Sequence, residues 1–170
     1  LGLVALELLG PTVALVAMSL AASYPVLIEQ TGTLVAENLL VVLELAAVWT
    51  AVRGRRSRHP YRWIAATGVL AGLATLTHQN AILLVAPLGV AAWTAGARAR
   101  GTALLVICAA ATIAPWTVRN AVELHRFVPV SDETGITLVG TYNRSSAAER
   151  AIPYKWRFFW DIPADAHLVK

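Results

Sequence analysis

Long apolar stretches alternate with short polar interruptions over the first two thirds of the chain. Residues 3–22, 34–52 and 102–118 carry almost no charge, and residues 63–97 form a longer apolar segment interrupted once, by Thr77-His78-Gln79-Asn80. A bilayer core of ~30 Å takes about 20 apolar residues of helix, so runs of this kind predict membrane crossings. Broken at its polar tip, the 63–97 segment gives two helices near the lower length limit. The expected fold is all-α: a polytopic transmembrane helical bundle over 1–118, with about five crossings near 3–22, 34–52, 63–78, 80–97 and 102–118. An exposed turn is expected from Ser23 to Thr33.

The pattern changes after residue 118. Residues 119–170 carry seven basic and six acidic residues and no spanning run. Phe127-Val128-Pro129-Val130 and Gly135 to Tyr142 have extended or strand character, and Trp156, Phe158, Phe159 and Trp160 form an aromatic run. This stretch is expected to be an extracytoplasmic segment, incomplete in itself. The chain starts at Leu1 with no charged leader, so it is expected to be an internal piece of a longer protein.

Composition narrows the class. The chain is 57% hydrophobic and 14% charged, against roughly 25% charged in soluble domains. A water-facing globule is excluded by too few charges, and disorder by abundant apolar residues. One cysteine, Cys108, excludes a disulfide framework. The net charge of +4 points to a basic partner surface until the charges are located. Before residue 119 all basic residues fall in two clusters, Arg53 to Arg62 and Arg98 with Arg100. Arginine-rich loops between apolar stretches mark the cytoplasmic side, so loops 53–62 and 98–100 are expected inside the cell and residues 119–170 outside. Flanking bilayer-length runs, these arginines do not read as a nucleic-acid surface. Trp49, Trp63, Trp93 and Trp116 lie close to the expected boundaries, where indole rings favour the headgroup layer.

That orientation gathers polar groups on one outer face: Glu29, Glu37, the tip with His78, Gln79 and Asn80, the Arg119-Asn120 exit, then Asp132 and Glu133. Carboxylates, an imidazole and a guanidinium together suit proton transfer, metal binding or recognition of a phosphate. Plainer readings stand beside this one. Arg119 reads equally as a snorkelling helix-end anchor, His78 as a hydrated turn residue, and Glu29, Asp132 and Glu133 as solvated loop acids. Glu7 and Glu44 fall within apolar runs, where an ionised carboxylate costs at least ~2.5–3.5 kcal/mol, so partners or an interior face are expected. Interhelical hydrogen bonding accounts for them as well as function does. No ligand pair has a diagnostic metal spacing.

Gly68-Val69-Leu70-Ala71-Gly72-Leu73-Ala74-Thr75-Leu76-Thr77, a second apolar helix, and then Ala114-Pro115-Trp116-Thr117-Val118-Arg119-Asn120 resemble the middle of multispanning glycosyltransferases of the GT-C fold. These are bacterial relatives of protein O-mannosyltransferases and aminoarabinose transferases. Tyr24-Pro25, Thr31-Gly32-Thr33 and Glu37 upstream, and Phe127 to Asn143 downstream, are similar too, so the resemblance covers about residues 20–143. It implies transfer of a sugar from a polyprenyl-phosphate carrier to a lipid, glycan or protein acceptor at the extracytoplasmic face. A carboxylate would deprotonate the acceptor, while a cationic side chain or a divalent cation steadies the departing phosphate. In the family the essential acid lies in the first outer loop, which is expected upstream of this chain. The substrate-binding residues the resemblance implies are Arg119, Asn120, His78, Gln79 and Glu37. Relatives usually carry Arg-Pro where this chain has His78-Gln79, which leaves Arg119 as the better phosphate ligand. Two other classes stay open: a transporter or flippase using Glu7 and Glu44, and a noncatalytic membrane subunit.

Overall fold

The computed structural model describes residues 1–32, 36–131, 133–148 and 151–157. Among them every regular element is helical: α1 Gly2–Leu9, α2 Pro11–Ser23, α3 Pro25–Thr31, α4 Ala36–Arg55 and α5 Pro60–Thr77. A 3-10 stretch, Gln79–Leu84, leads into α6 Val85–Ala92, a π-helical turn Trp93–Ala97 and α7 Arg98–Leu124. Two short helices follow, α8 Glu133–Thr141 and α9 Arg144–Ala147. The chain divides into two compact units, Leu1–Val130 and Ser131–Lys170.

The first unit is built around α5. Thr50 of α4 and Thr67 of α5 share a buried hydrogen bond of 2.9 Å, and Gly54 of α4 lies under the Trp63 side chain. Both pairs fit an antiparallel register. α7 runs parallel to α5: a methyl group on Gly68 would strike the Leu105 carbonyl, and one on Gly72 would lie 2.9 Å from the Ala109 carbonyl. Only hydrogen at these two positions lets the backbones meet, as the small-residue spacing Gly68-x-x-x-Gly72 predicts. α6 packs antiparallel to α7, where Thr102 Oγ1 donates to the Gly89 carbonyl at 3.0 Å.

Side-chain size is sorted in the reverse of a water-soluble protein. Ala47, Ala71 and Ala74 have no exposed surface, whereas Leu83 is 75% exposed, Leu15 66% and Ile107 62%. Leu105 is the largest side chain fully buried among the described residues. In water the large apolar groups would be driven inward. In lipid they cost nothing outside, and close backbone packing selects small residues inside. By length and composition α7 is long and apolar enough to cross a membrane; Pro11–Ser23 and Gln79–Ala92 are shorter apolar helices.

Several expectations change. The run 3–22, expected as one helix, is two. Gly10 adopts φ 91°, a left-handed value open to glycine, and Pro11 starts α2; the residue before proline is turned away from helical geometry. α1 and α2 fold back on each other, bringing Gly2 against the Met18 side chain. The fold-back carries Glu7 to the arginines, where it has the partners expected of it. Glu7 lies beside the end of α4 and accepts from Arg53 Nη1 at 2.7 Å and Arg56 Nη1 at 3.5 Å. The expected turn 23–33 contains α3 over Pro25–Thr31, with Thr33 outside the described residues.

The expected boundary at 118 moves too. α7 continues through Arg119 and Asn120 to Leu124, and the first compact unit runs to Val130. Residues 135–142, expected as extended or strand, are largely helical in α8. Glycine and β-branched residues disfavour helix only weakly, and packing overrides them. In that second unit the Arg157 amide donates to the Gly140 carbonyl at 3.0 Å. Asn143 Oδ1 accepts from the Ser146 amide at 2.8 Å, opening α9. Asp132 and the aromatic residues 158–160 lie outside the described residues.

Candidate functional site at the end opposite the arginines

The helix registers define two ends of the first unit. The arginine end holds the close of α1, the α4–α5 connection and the start of α7, since Gly101 approaches Ile64 as Gly54 approaches Trp63. The opposite end holds the candidate site. The α4–α5 register, Thr50 against Thr67 and Gly54 against Trp63, places Glu37 level with the 78–80 turn. The α5–α7 register, Gly68 against Leu105 and Gly72 against Ala109, places His78 level with Trp116.

α5 stops at Thr77 because His78 turns extended, with φ −150° and ψ 117°. The His78 amide still donates to the Ala74 carbonyl at 3.0 Å, and the His78 carbonyl accepts from Ala81 at 2.9 Å, starting the 3-10 stretch. The imidazole is half-buried and makes no hydrogen bond among the described residues. Gln79 is half-buried and does have a polar partner. Glu37 is exposed in the first turn of α4, where a carboxylate complements the helix dipole.

The Pro115-Trp116-x-x-Arg119-Asn120 segment folds into a clasp. Beyond Leu124, His125 takes left-handed geometry, φ 51°, and the chain returns through Val128-Pro129-Val130. Three side chains of α7 then bond that return segment. Trp116 Nε1 donates to the Val130 carbonyl at 3.0 Å, and Thr117 Oγ1 to the Pro129 carbonyl at 2.7 Å. Asn120 Nδ2 donates to the carbonyls of Val128 at 3.2 Å and Val130 at 3.1 Å. A segment with no strand partner thereby satisfies three consecutive carbonyls.

Arg119 rides on this clasp. Its guanidinium lies 4.9 Å from the centroid of the Trp116 ring, within cation–π range. Its Nη1 donates to Asn120 Oδ1 at 3.3 Å. Arg119 is exposed, and its spacing from Gly101, Leu105, Cys108 and Thr112 puts it on the stripe of α7 that packs along α5. That stripe runs past the end of α5, so Arg119 lies toward the same end of the unit as the His78-Gln79 turn. Asn120, expected as a substrate ligand, is buried with only 4% exposure. Both its donor protons are spent on backbone and its oxygen on Arg119.

The structure thus brings Glu37, His78, Gln79 and Arg119 to one end, although neither Glu37 nor His78 bonds Arg119. Glu29 is exposed on α3. Glu44 is half-buried with no hydrogen bond among the described residues. No group of three His, Cys, Asp or Glu side chains among the described residues is placed to hold a metal ion. Sequence reasoning missed the clasp, although donors at 116, 117 and 120 share one helical face and Pro129 lies in the return they bond.

A bundle with small residues within, large apolar residues without and charged groups gathered at its ends is an α-helical membrane protein. The chain belongs to the dolichyl-phosphate-mannose-protein mannosyltransferase family, whose family model matches residues 3–118, and so to the membrane glycosyltransferases of the GT-C type. The matched stretch ends one residue before Arg119. No curated protein and no solved structure matches the chain.

Proposed function

We propose that the protein transfers a sugar from a polyprenyl-phosphate carrier to a lipid, glycan or protein acceptor at the extracytoplasmic face, with Arg119 holding the carrier phosphate. The observation that carries this reading is the clasp. An exposed guanidinium, braced by an indole face and an amide oxygen, is presented at the end of the bundle where an imidazole and a carboxylate also lie. The planar fork of arginine donates two parallel hydrogen bonds to a phosphate.

In the reaction the acceptor oxygen bonds the anomeric carbon and the bond from that carbon to the phosphate oxygen breaks. The bonding pair leaves with the polyprenyl phosphate, whose growing charge Arg119 stabilises. The acceptor proton passes to a carboxylate that this reading does not assign to the chain. His78 and Gln79 line the approach to the phosphate, Glu37 meets sugar hydroxyls, and Asn120 acts through Arg119. Loops 53–62 and 98–100 face the cytoplasm.

The test is sugar transfer from polyprenyl-phosphate donor in membranes carrying Arg119→Ala. Loss of a donor aimed at developing charge costs about 10²–10³ in rate. Arg119→Lys retains part of the activity, because it keeps the charge and loses the fork. Unchanged transfer by Arg119→Ala at normal insertion rejects the role. A transporter is the second reading, favoured by Glu44 inside α4, which has no hydrogen bond among the described residues. It requires solute movement that Glu44→Gln abolishes, with no sugar transfer.

A further inference from the structure

The arginine end has a chemistry that sugar transfer does not use. The fold draws the end of α4, the α4–α5 connection, the start of α5 and the start of α7 together there, and the seven arginines they carry are all exposed. Among the described residues one carboxylate accompanies them, Glu7, 2.7 Å from Arg53 and 3.5 Å from Arg56. Arg55, Arg58, Arg62, Arg98 and Arg100 have no acidic partner among the described residues. Just within the bundle from this cluster, the Trp49 and Trp63 rings meet edge to face at 5.5 Å between centroids, and Trp93 is 54% exposed at the close of α6. Indoles at one level beneath guanidiniums mark the headgroup layer of a bilayer.

We propose that this end is a docking surface for anionic phospholipid headgroups, with Glu7 limiting its strength by occupying Arg53 and Arg56. The partner is set by charge and depth. A surplus of guanidiniums at headgroup level meets lipid phosphates before any other anion, and arginine binds them through paired hydrogen bonds. Clustered basic residues beside a membrane helix each favour an anionic surface by about fivefold. The inference holds whether or not the opposite end transfers sugar.

The protein is reconstituted in equal parts phosphatidylglycerol and phosphatidylcholine, extracted in mild detergent, and its retained lipids are counted by native mass spectrometry. The expected result is retention of phosphatidylglycerol over phosphatidylcholine by about fivefold or more, falling as salt rises. Arg55→Gln/Arg58→Gln/Arg62→Gln brings the ratio towards one, and Glu7→Gln raises it by freeing two guanidiniums. Should the triple variant fail to insert, the salt series and Glu7→Gln still decide. Equal retention of the two lipids by the unsubstituted protein overturns the proposal. So does a preference unmoved by salt and by Glu7→Gln, or capture of an RNA oligonucleotide without lipid selectivity.

Discussion

The two ends of the first unit solve the same problem differently. Each must bring helices to a stop and satisfy the backbone groups left over. At the arginine end α6 reaches α7 through the π-helical turn Trp93–Ala97 and Arg98 at φ 46°, while between α4 and α5 only four residues separate Arg55 from Pro60. Proline at a helix start gives up an amide that would have lacked a partner. Arginine dominates the charge there, partly offset by Glu7. At the opposite end the chain turns through an extended His78 and a 3-10 stretch, and a left-handed His125 leads into a return segment bonded by side chains. The arginine end is suited to fixing the chain in the lipid, and the opposite end, where side chains bond a return segment, to presenting named side chains at fixed positions.

Substitutions between and at these ends sharpen that contrast. The largest effect is expected in the seam that holds both ends in register. Gly72→Leu drives a side chain into the Thr112 side chain and the Ala109 carbonyl, and α7 cannot move away without losing α5. A loss of about 3 kcal/mol or more is expected, read as a fall in the midpoint of thermal unfolding in detergent. Next comes the clasp. Asn120→Leu leaves the Val128 carbonyl without its donor and the Val130 carbonyl with Trp116 alone, at about 1–3 kcal/mol, and should expose residues 125–131 to protease while the arginine end stays protected. Equal cleavage at both ends would erase the distinction.

Smaller effects belong to single polar contacts. Thr50→Val removes the hydrogen bond to Thr67, at a cost of about 0.6 kcal/mol. Glu7→Gln breaks a pair whose arginines are 50% and 60% exposed, and solvent screening limits its contribution to about 0.2–1 kcal/mol. Both are measurable as shifts in chemical unfolding midpoint. A Glu7→Gln loss matching that of Gly72→Leu would mean the arginine end is held by charge rather than by packing.

Much of this was legible in the residues. Arg53 to Arg62, Pro60 and the Thr77-His78-Gln79-Asn80 tip mark the ends of α4 and α5, because charge and polarity are expensive in lipid. Gly68 and Gly72 mark the seam. The break at Gly10-Pro11 was also written there, but an unbroken apolar run hid it: hydropathy measures length in lipid and is blind to backbone geometry. The partner of Glu7 depends on that break, so its position could not be read before it. α8 was misread because a short segment with Gly135, Ile136 and Gly140 has no decisive period. At the candidate site, Arg119 was visible as a guanidinium at a helix exit. The binding of Asn120 and Trp116 to a return segment 8 to 14 residues away is a tertiary fact that no local pattern states.

Everything assigned to the end opposite the arginines requires that it face away from the cytoplasm. With Cys108 replaced by serine, single cysteines at Ser57 and Gln79 report the two ends to an impermeant thiol reagent added outside intact cells. Labelling of Gln79→Cys, with Ser57→Cys labelled only after the cells are opened, is the predicted result. Labelling of Ser57→Cys in intact cells, with Gln79→Cys protected until lysis, would contradict it.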